Sequence, residues 1–223
     1  MSYQPYAVAR PAESLLATNK LIRNTYLLLS LTLVFSAVTA GISIAINMPY
    51  MGVLVTLGGY FGLLFLTSYL RNSAWGLLSI FALTGFMGLT LGPMINAYLQ
   101  HFTNGGQLVM LALSGTGAIF LGLSGYALST RRDFSFLGGY VFVGILVAFL
   151  AGIGALLFNL PALSLAVSAV FVMLMSAFIL YQTSVMVHGG ETNYIMATIA
   201  LYVSIYNLFT SLLHLLGAFA GED

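Results

Sequence analysis

Cysteine is absent from the 223 residues, and charge is scarce: six Lys and Arg and five Asp and Glu, 5% of the chain. Without cysteine there can be no disulfide, no thiolate zinc site and no Cys nucleophile. With so little charge the chain cannot cover a soluble surface, because soluble domains carry charge at about one residue in four. A net charge of +1 gives no basic field for nucleic acid. Disorder needs low hydrophobicity, and 60% apolar residues exclude it. No acid interrupts a long apolar run: Glu13, Asp133, Glu191, Glu222 and Asp223 all fall in tails or breaks. Residues 1–22 contain no apolar core segment of the secretory type, so they do not read as a cleavable signal peptide.

What is present is apolar sequence in long continuous runs, with a mean hydropathy of +1.03. The composition is that of an all-α polytopic membrane protein. Runs without strict alternation argue against an outer-membrane barrel. A crossing needs roughly 20 apolar residues, and breaks at charge, Pro, Asn or Gly clusters define seven. These are Asn24–Asn47, Met51–Leu70, Trp75–Tyr98, Gln107–Leu128, Phe136–Phe158, Ala162–Thr183 (extending toward Val187) and Asn193–Phe219. Thr192 is the expected cap of the last helix. Arg71–Ala74 makes the second and third spans a tight hairpin. Residues 1–22 form a flexible tail with a short amphipathic turn around Leu15, Leu16 and Leu21. Residues 23–219 form one transmembrane domain, and 220–223 a short second tail.

Seven crossings place every basic residue (Arg10, Lys20, Arg23, Arg71, Arg131, Arg132) on one side. By the positive-inside rule that side, with the N-terminus, is cytoplasmic. The C-terminus is then periplasmic, in a bacterial inner membrane.

Helices in lipid associate through small residues and modest hydrogen bonds. Thr25, Thr32, Ser36, Thr39 and Ser43 form such a face in the first span, and Gly85, Gly88 and Gly92 in the third. Both read as packing. The last span carries Asn193, Ala197, Ala200, Ser204, Asn207, Ser211 and His214 in a 4-3-4-3 rhythm, which predicts a central helix. Within it Asn207, Ser211 and His214 are candidates for function, because polar groups at membrane depth are costly.

Catalysis finds little support. Gly122-Leu123-Ser124-Gly125 matches a short intramembrane-protease pattern. Helix rise puts Ser124 about 10 Å from the inner surface and His214 about 30 Å from it. A nucleophile and its base must approach within about 3 Å. His101 reads as an outer-loop and His188 as an inner-loop residue, so the three histidines make no zinc site. No carboxylate inside a span is available for an aspartyl protease, a proton relay or calcium ligation.

Specific wording toward the C-terminus carries a resemblance. Phe178 to Gln182-Thr183, His188-Gly189-Gly190-Glu191 and the run Tyr194 to Asn207 resemble the transmembrane Bax-inhibitor-motif family. Thr84-Gly85-Phe86, Gly88 to Pro93, and Asp133-Phe134-Ser135-Phe136-Leu137 match as well. The resemblance implies a Bax-inhibitor-1-like fold of seven helices with the last one central, and no cofactor or metal. In family members described as pH-sensitive calcium leak channels, two Asp residues on the sixth and seventh helices pair at the inner gate. Here those positions are Gln182 and Ser204, with Arg71 near the family's second-helix Arg. Gln and Ser can hydrogen-bond but do not titrate near neutral pH.

Within the family the chain resembles the proteobacterial branch of protease modulators. The implied function is a regulatory protein that binds the membrane AAA protease FtsH, with its prohibitin-like complex, and restrains it. The tail, with Met1, Tyr3 and Arg10, is the segment such a protease could engage. The alternative implied by the wider family is a pH-sensitive calcium or cation leak channel.

Overall fold

The computed structural model describes residues 12–221, with side chains from Lys20 onward. Met1, Tyr3, Arg10, Glu222 and Asp223 lie outside the described residues. Seven helices follow one another: α1 Ala12–Ala45, α2 Val53–Leu70, α3 Trp75–His101, α4 Gly105–Thr130, α5 Leu137–Leu157, α6 Pro161–Val187 and α7 Tyr194–Ala220. Each contains a segment long and apolar enough to cross a membrane.

The largest boundary difference from the sequence reading is at the start of α1. α1 begins at Ala12, so half of the expected tail is helical. Hydropathy broke the run at Lys20 and Arg23, but Ala12, Glu13, Leu15, Leu16 and Ala17 are strong helix formers. The resulting 34-residue helix is about 51 Å long by helix rise, well beyond the roughly 30 Å of hydrocarbon.

The breaks work as chain reversals with a common geometry. Asn47, Asn159 and Gly189 take positive φ at the ends of α1, α5 and α6. In each case the following residue's N–H reaches back to a carbonyl five positions earlier: Met48 to Ser43, Leu160 to Ala155, Gly190 to Val185. This Schellman closure satisfies helix-end carbonyls and stops the helix. At the start of α7 the cap is Asn193 rather than Thr192. The Asn193 side chain accepts from the N–H groups of Ile195 and Met196, while Thr192 is exposed. Asn outranks Thr at this position.

The α1 polar face and the α3 glycine face pack directly together. A Cβ at Gly85 would meet the Phe35 ring, one at Gly88 would run into Thr39 Oγ1 and the Ser36 carbonyl, and one at Gly92 into Ser43 Oγ. Glycine is needed here for close approach of two backbones. A second feature fixes the register. Pro93 sits inside α3 and has no N–H to give to the carbonyl of Leu89, four residues earlier. The buried Ser43 hydroxyl of α1 donates to that carbonyl at 2.8 Å instead.

α7 packs against α1, α3, α4 and α6 and buries residues around most of its circumference. Tyr202 is its largest fully buried side chain. Its hydroxyl lies 2.6 Å from Ser36 Oγ of α1 and donates to the Thr84 carbonyl of α3 at 3.2 Å. α2 leans chiefly on α3, and α5 chiefly on α6. These two helices are therefore the periphery of the bundle.

Candidate functional site

The starts of α1, α3, α5 and α7 and the ends of α2, α4 and α6 share one end of the bundle. All described basic residues, Lys20, Arg23, Arg71, Arg131 and Arg132, are exposed there. The α6–α7 loop is tied to both neighbouring connections. Asn193 Nδ2 donates to the Arg71 carbonyl and to Asn72 Oδ1, each at 3.0 Å. On the other side the buried Ser184 hydroxyl accepts from the Phe134 N–H at 2.9 Å and donates to the Arg132 carbonyl at 3.1 Å. His188, the C-cap of α6, places Nδ1 2.8 Å from the Ser184 carbonyl and Nε2 3.1 Å from the Arg131 carbonyl. Both ring nitrogens thus face backbone carbonyl acceptors.

Asp133 closes the α4–α5 loop on itself, accepting from the Ser135 N–H at 2.9 Å. The Ser135 hydroxyl and N–H hold the Asp133 carboxyl below the usual carboxylate range, and His188 acts in the same direction. Glu191 similarly accepts from Thr192 and Asn193 N–H groups at 2.8 and 2.7 Å. The acids at this end thus organise loops rather than face the bundle interior.

Beneath the loops lies a buried layer of hydroxyls and one amide. Thr183 Oγ1 of α6 is 3.4 Å from both Tyr26 OH of α1 and Ser124 Oγ of α4. Gln182 and Ser204 are both buried. Ser204 donates to the Ala200 carbonyl of its own helix at 2.7 Å, and among the described residues no hydrogen bond joins it to Gln182. Arg71 is exposed, and its part in the network is its carbonyl. Three positions that the resemblance grouped are thus a buried amide, a hydroxyl turned onto its own helix and a surface cation.

The central stripe divides as well. Ser211 is buried. Asn207 donates from Nδ2 to the Val203 carbonyl at 2.8 Å. His214 Nδ1 lies 2.8 Å from Ser168 Oγ of α6. Sequence reasoning weighed His214 only against Ser124 and missed Ser168. Its signal was there: Ser168 and His214 stand about equally far from the ends of α6 and α7 opposite the basic end. Ser168 Oγ also donates to the Ser164 carbonyl at 3.1 Å, so its proton is already held by its own helix. His101 is the last residue of α3 rather than a loop residue, with Nδ1 2.9 Å from the Ala97 carbonyl. Among the described residues no three His, Asp or Glu side chains gather into a metal-binding group.

The family described as Inhibitor of apoptosis-promoting Bax1 matches residues 18–221, all of the bundle but the first turns of α1. The chain belongs to this Bax inhibitor family. It is 52% identical over its entire length to an uncharacterized protein of Pseudomonas aeruginosa, covering all of that protein. It is 50% identical over 210 residues, 94% of each chain, to a protein of Escherichia coli K12 named modulator of FtsH protease YccA. At the same identity and coverage, an Escherichia coli O6:H1 relative is named inner membrane protein YccA. The seven crossing-length helices and these relatives make the chain a multi-pass inner-membrane protein.

Proposed function

We propose that the protein binds the FtsH protease in the inner membrane and restrains its action on membrane substrates. The observation that carries this reading is the 50% identity over 94% of both chains to the relative named modulator of FtsH protease. At that identity the two chains share one fold nearly end to end. The physical character of the chain supports it. The bundle interior offers hydroxyls, amides and one imidazole but no carboxylate among the described residues, which suits a compact body better than an ion path. The reading makes the protein a regulator rather than an enzyme.

The basic end is cytoplasmic by the positive-inside rule, so the N-terminus and the tied loops face the ATP-driven part of the protease. The residues ahead of α1, with Met1, Tyr3 and Arg10, are the segment offered to it. A prohibitin-like complex is the expected co-partner. A bundle stitched at its base by the Asn193, Ser184 and His188 bonds resists extraction, and so occupies the machine.

Affinity capture from native membranes tests the reading. FtsH copurifies with the full-length protein, and removing residues 2–11 lengthens the FtsH-dependent lifetime of the chain. Absence of FtsH from the captured material overturns the proposal; an unchanged lifetime removes the role of the tail. Proteoliposomes holding the unmutated protein should show no pH-dependent calcium entry. Strong entry would return the leak-channel function to first place.

A further inference from the structure

Between the two peripheral helices lies a cavity of about 440 Å³. That volume falls within the roughly 300–1,000 Å³ of ligand pockets. It exists because α2 and α5 lean on different neighbours and meet only edge-on. The rings of Phe61 and Phe149 are 6.1 Å apart at an angle of 83°. Behind them Met87, Met175 and Val203 of α3, α6 and α7 form the floor. The mouth faces sideways: Phe61, Phe142 and Leu146 line the cavity yet are 47%, 71% and 50% exposed on the outer surface. In a membrane that surface is hydrocarbon. The entry therefore lies in the bilayer and not at either aqueous end.

The lining defines the occupant. No charged residue and no histidine lines it, so an ionised headgroup would be buried without a partner. From the level of Phe142 to that of Phe171 the slot runs about 16 Å along the bundle by helix rise. Its polar groups, Thr56, Tyr60, Thr90, Tyr206 and Asn207, stand about 15–23 Å from the basic end by helix rise. Thr90 is already paired with Tyr206 at 3.1 Å. The Asn207 amide nitrogen is used by the Val203 carbonyl, but its Oδ1 has no hydrogen-bond partner among the described residues. Thr56 Oγ1, in the α2 wall, is unpartnered as well, but it is sealed from the cavity as it is from water. An acceptor left open at membrane depth calls for one neutral group that donates to it.

We infer that the cavity between α2 and α5 binds a neutral long-chain lipid by its single hydroxyl. The chain enters from the bilayer, lies along the aromatic walls and donates its hydroxyl to Asn207 Oδ1. This site is distinct from the tied basic end and stands independently of the protease reading.

The test uses the full chain in liposomes with hexadecanol carrying a photoreactive diazirine. Labelling concentrates on α2 and α5 lining residues, at the level of Phe61 and Phe149. Unlabelled hexadecanol competes at least about fivefold better than hexadecane, the ratio that one hydrogen bond of about 1 kcal/mol provides. Hexadecyl sulfate, charged at every working pH, does not compete. Asn207→Leu abolishes the difference between alcohol and alkane, and Met175→Trp, which fills the floor, abolishes the labelling itself. If Met175→Trp fails to fold, the Asn207→Leu comparison decides alone. Label spread evenly over the exposed faces of α1 and α4 overturns the inference. So does equal competition by hexadecanol and hexadecane, or a preference that survives Asn207→Leu.

Discussion

Ser43 and Asp133 show how single polar groups act in a chain with so few of them. The Ser43 hydroxyl is fully buried and supplies the hydrogen bond that Pro93 denies to the Leu89 carbonyl. Ser43→Ala leaves that carbonyl unpartnered away from water, which costs about 1–2 kcal/mol. Reversible unfolding in mixed micelles should register that loss, and Ser43→Ala combined with Pro93→Ala should recover most of it. Recovery is expected because the second substitution restores a backbone N–H that reaches the carbonyl. Asp133 gives a pH effect with a definite sign. Its folded-state pKa is depressed by Ser135, so its contribution to loop order is present above about pH 4, the ordinary carboxylate value. It is lost as pH falls through the lowered folded value. The NMR shift of the Ser135 amide should therefore move with a midpoint below about 4, and Asp133→Asn should abolish the movement. Ser43 stood out in the sequence as one of a polar stripe, but its task did not. The residue it serves is on another helix, and only the register of α1 against α3 brings the two together.

Among the elements, α1 and α3 form the tightest seam, and glycine decides it. A Cβ at Gly88 meets the Ser36 backbone carbonyl, which cannot rotate away. Gly88→Ala should thus cost about 1–3 kcal/mol, the range of overpacking. A Cβ at Gly58 of α2 meets nothing within 4 Å. Gly58→Ala should be neutral or stabilise by up to about 1 kcal/mol, through helix propensity alone. Thermal unfolding of the two variants separates these outcomes, and similar midpoints would refute the seam. The number, order and nearly all ends of the helices were legible in the sequence, because burial in lipid demands long apolar runs and Asn and Gly mark the reversals. The rhythm of the last span likewise announced a central helix. The extension of α1 to Ala12 was hidden, since hydropathy measures lipid contact and not helix propensity. The pairing of Ser168 with His214 and the gap between α2 and α5 depend on which helices are neighbours. A single sequence does not encode that in any local pattern.

For the whole molecule the governing quantity is the distribution of charge. Lys20, Arg23, Arg71, Arg131 and Arg132 are all exposed at one end of seven antiparallel crossings. We propose the orientation that a cytoplasmic positive-inside bias favours, with this basic end on the cytoplasmic side. The absence of cysteine makes this directly measurable, because any introduced thiol is the only one in the chain. Thr192 is exposed in the α6–α7 loop beside the basic residues, and Thr103 is exposed in the α3–α4 turn at the opposite end. Thr192 does not cap α7, so its replacement leaves the Asn193 cap intact. In intact cells stripped of their outer membrane, a membrane-impermeant maleimide should label Thr103→Cys and spare Thr192→Cys. In inverted inner-membrane vesicles the pattern should reverse. Labelling of Thr192→Cys from the periplasmic face would invert the molecule. It would place the tied loops and the N-terminal residues beyond reach of a cytosolic ATP-driven machine, and the proposed engagement of FtsH would lose its geometry along with its topology.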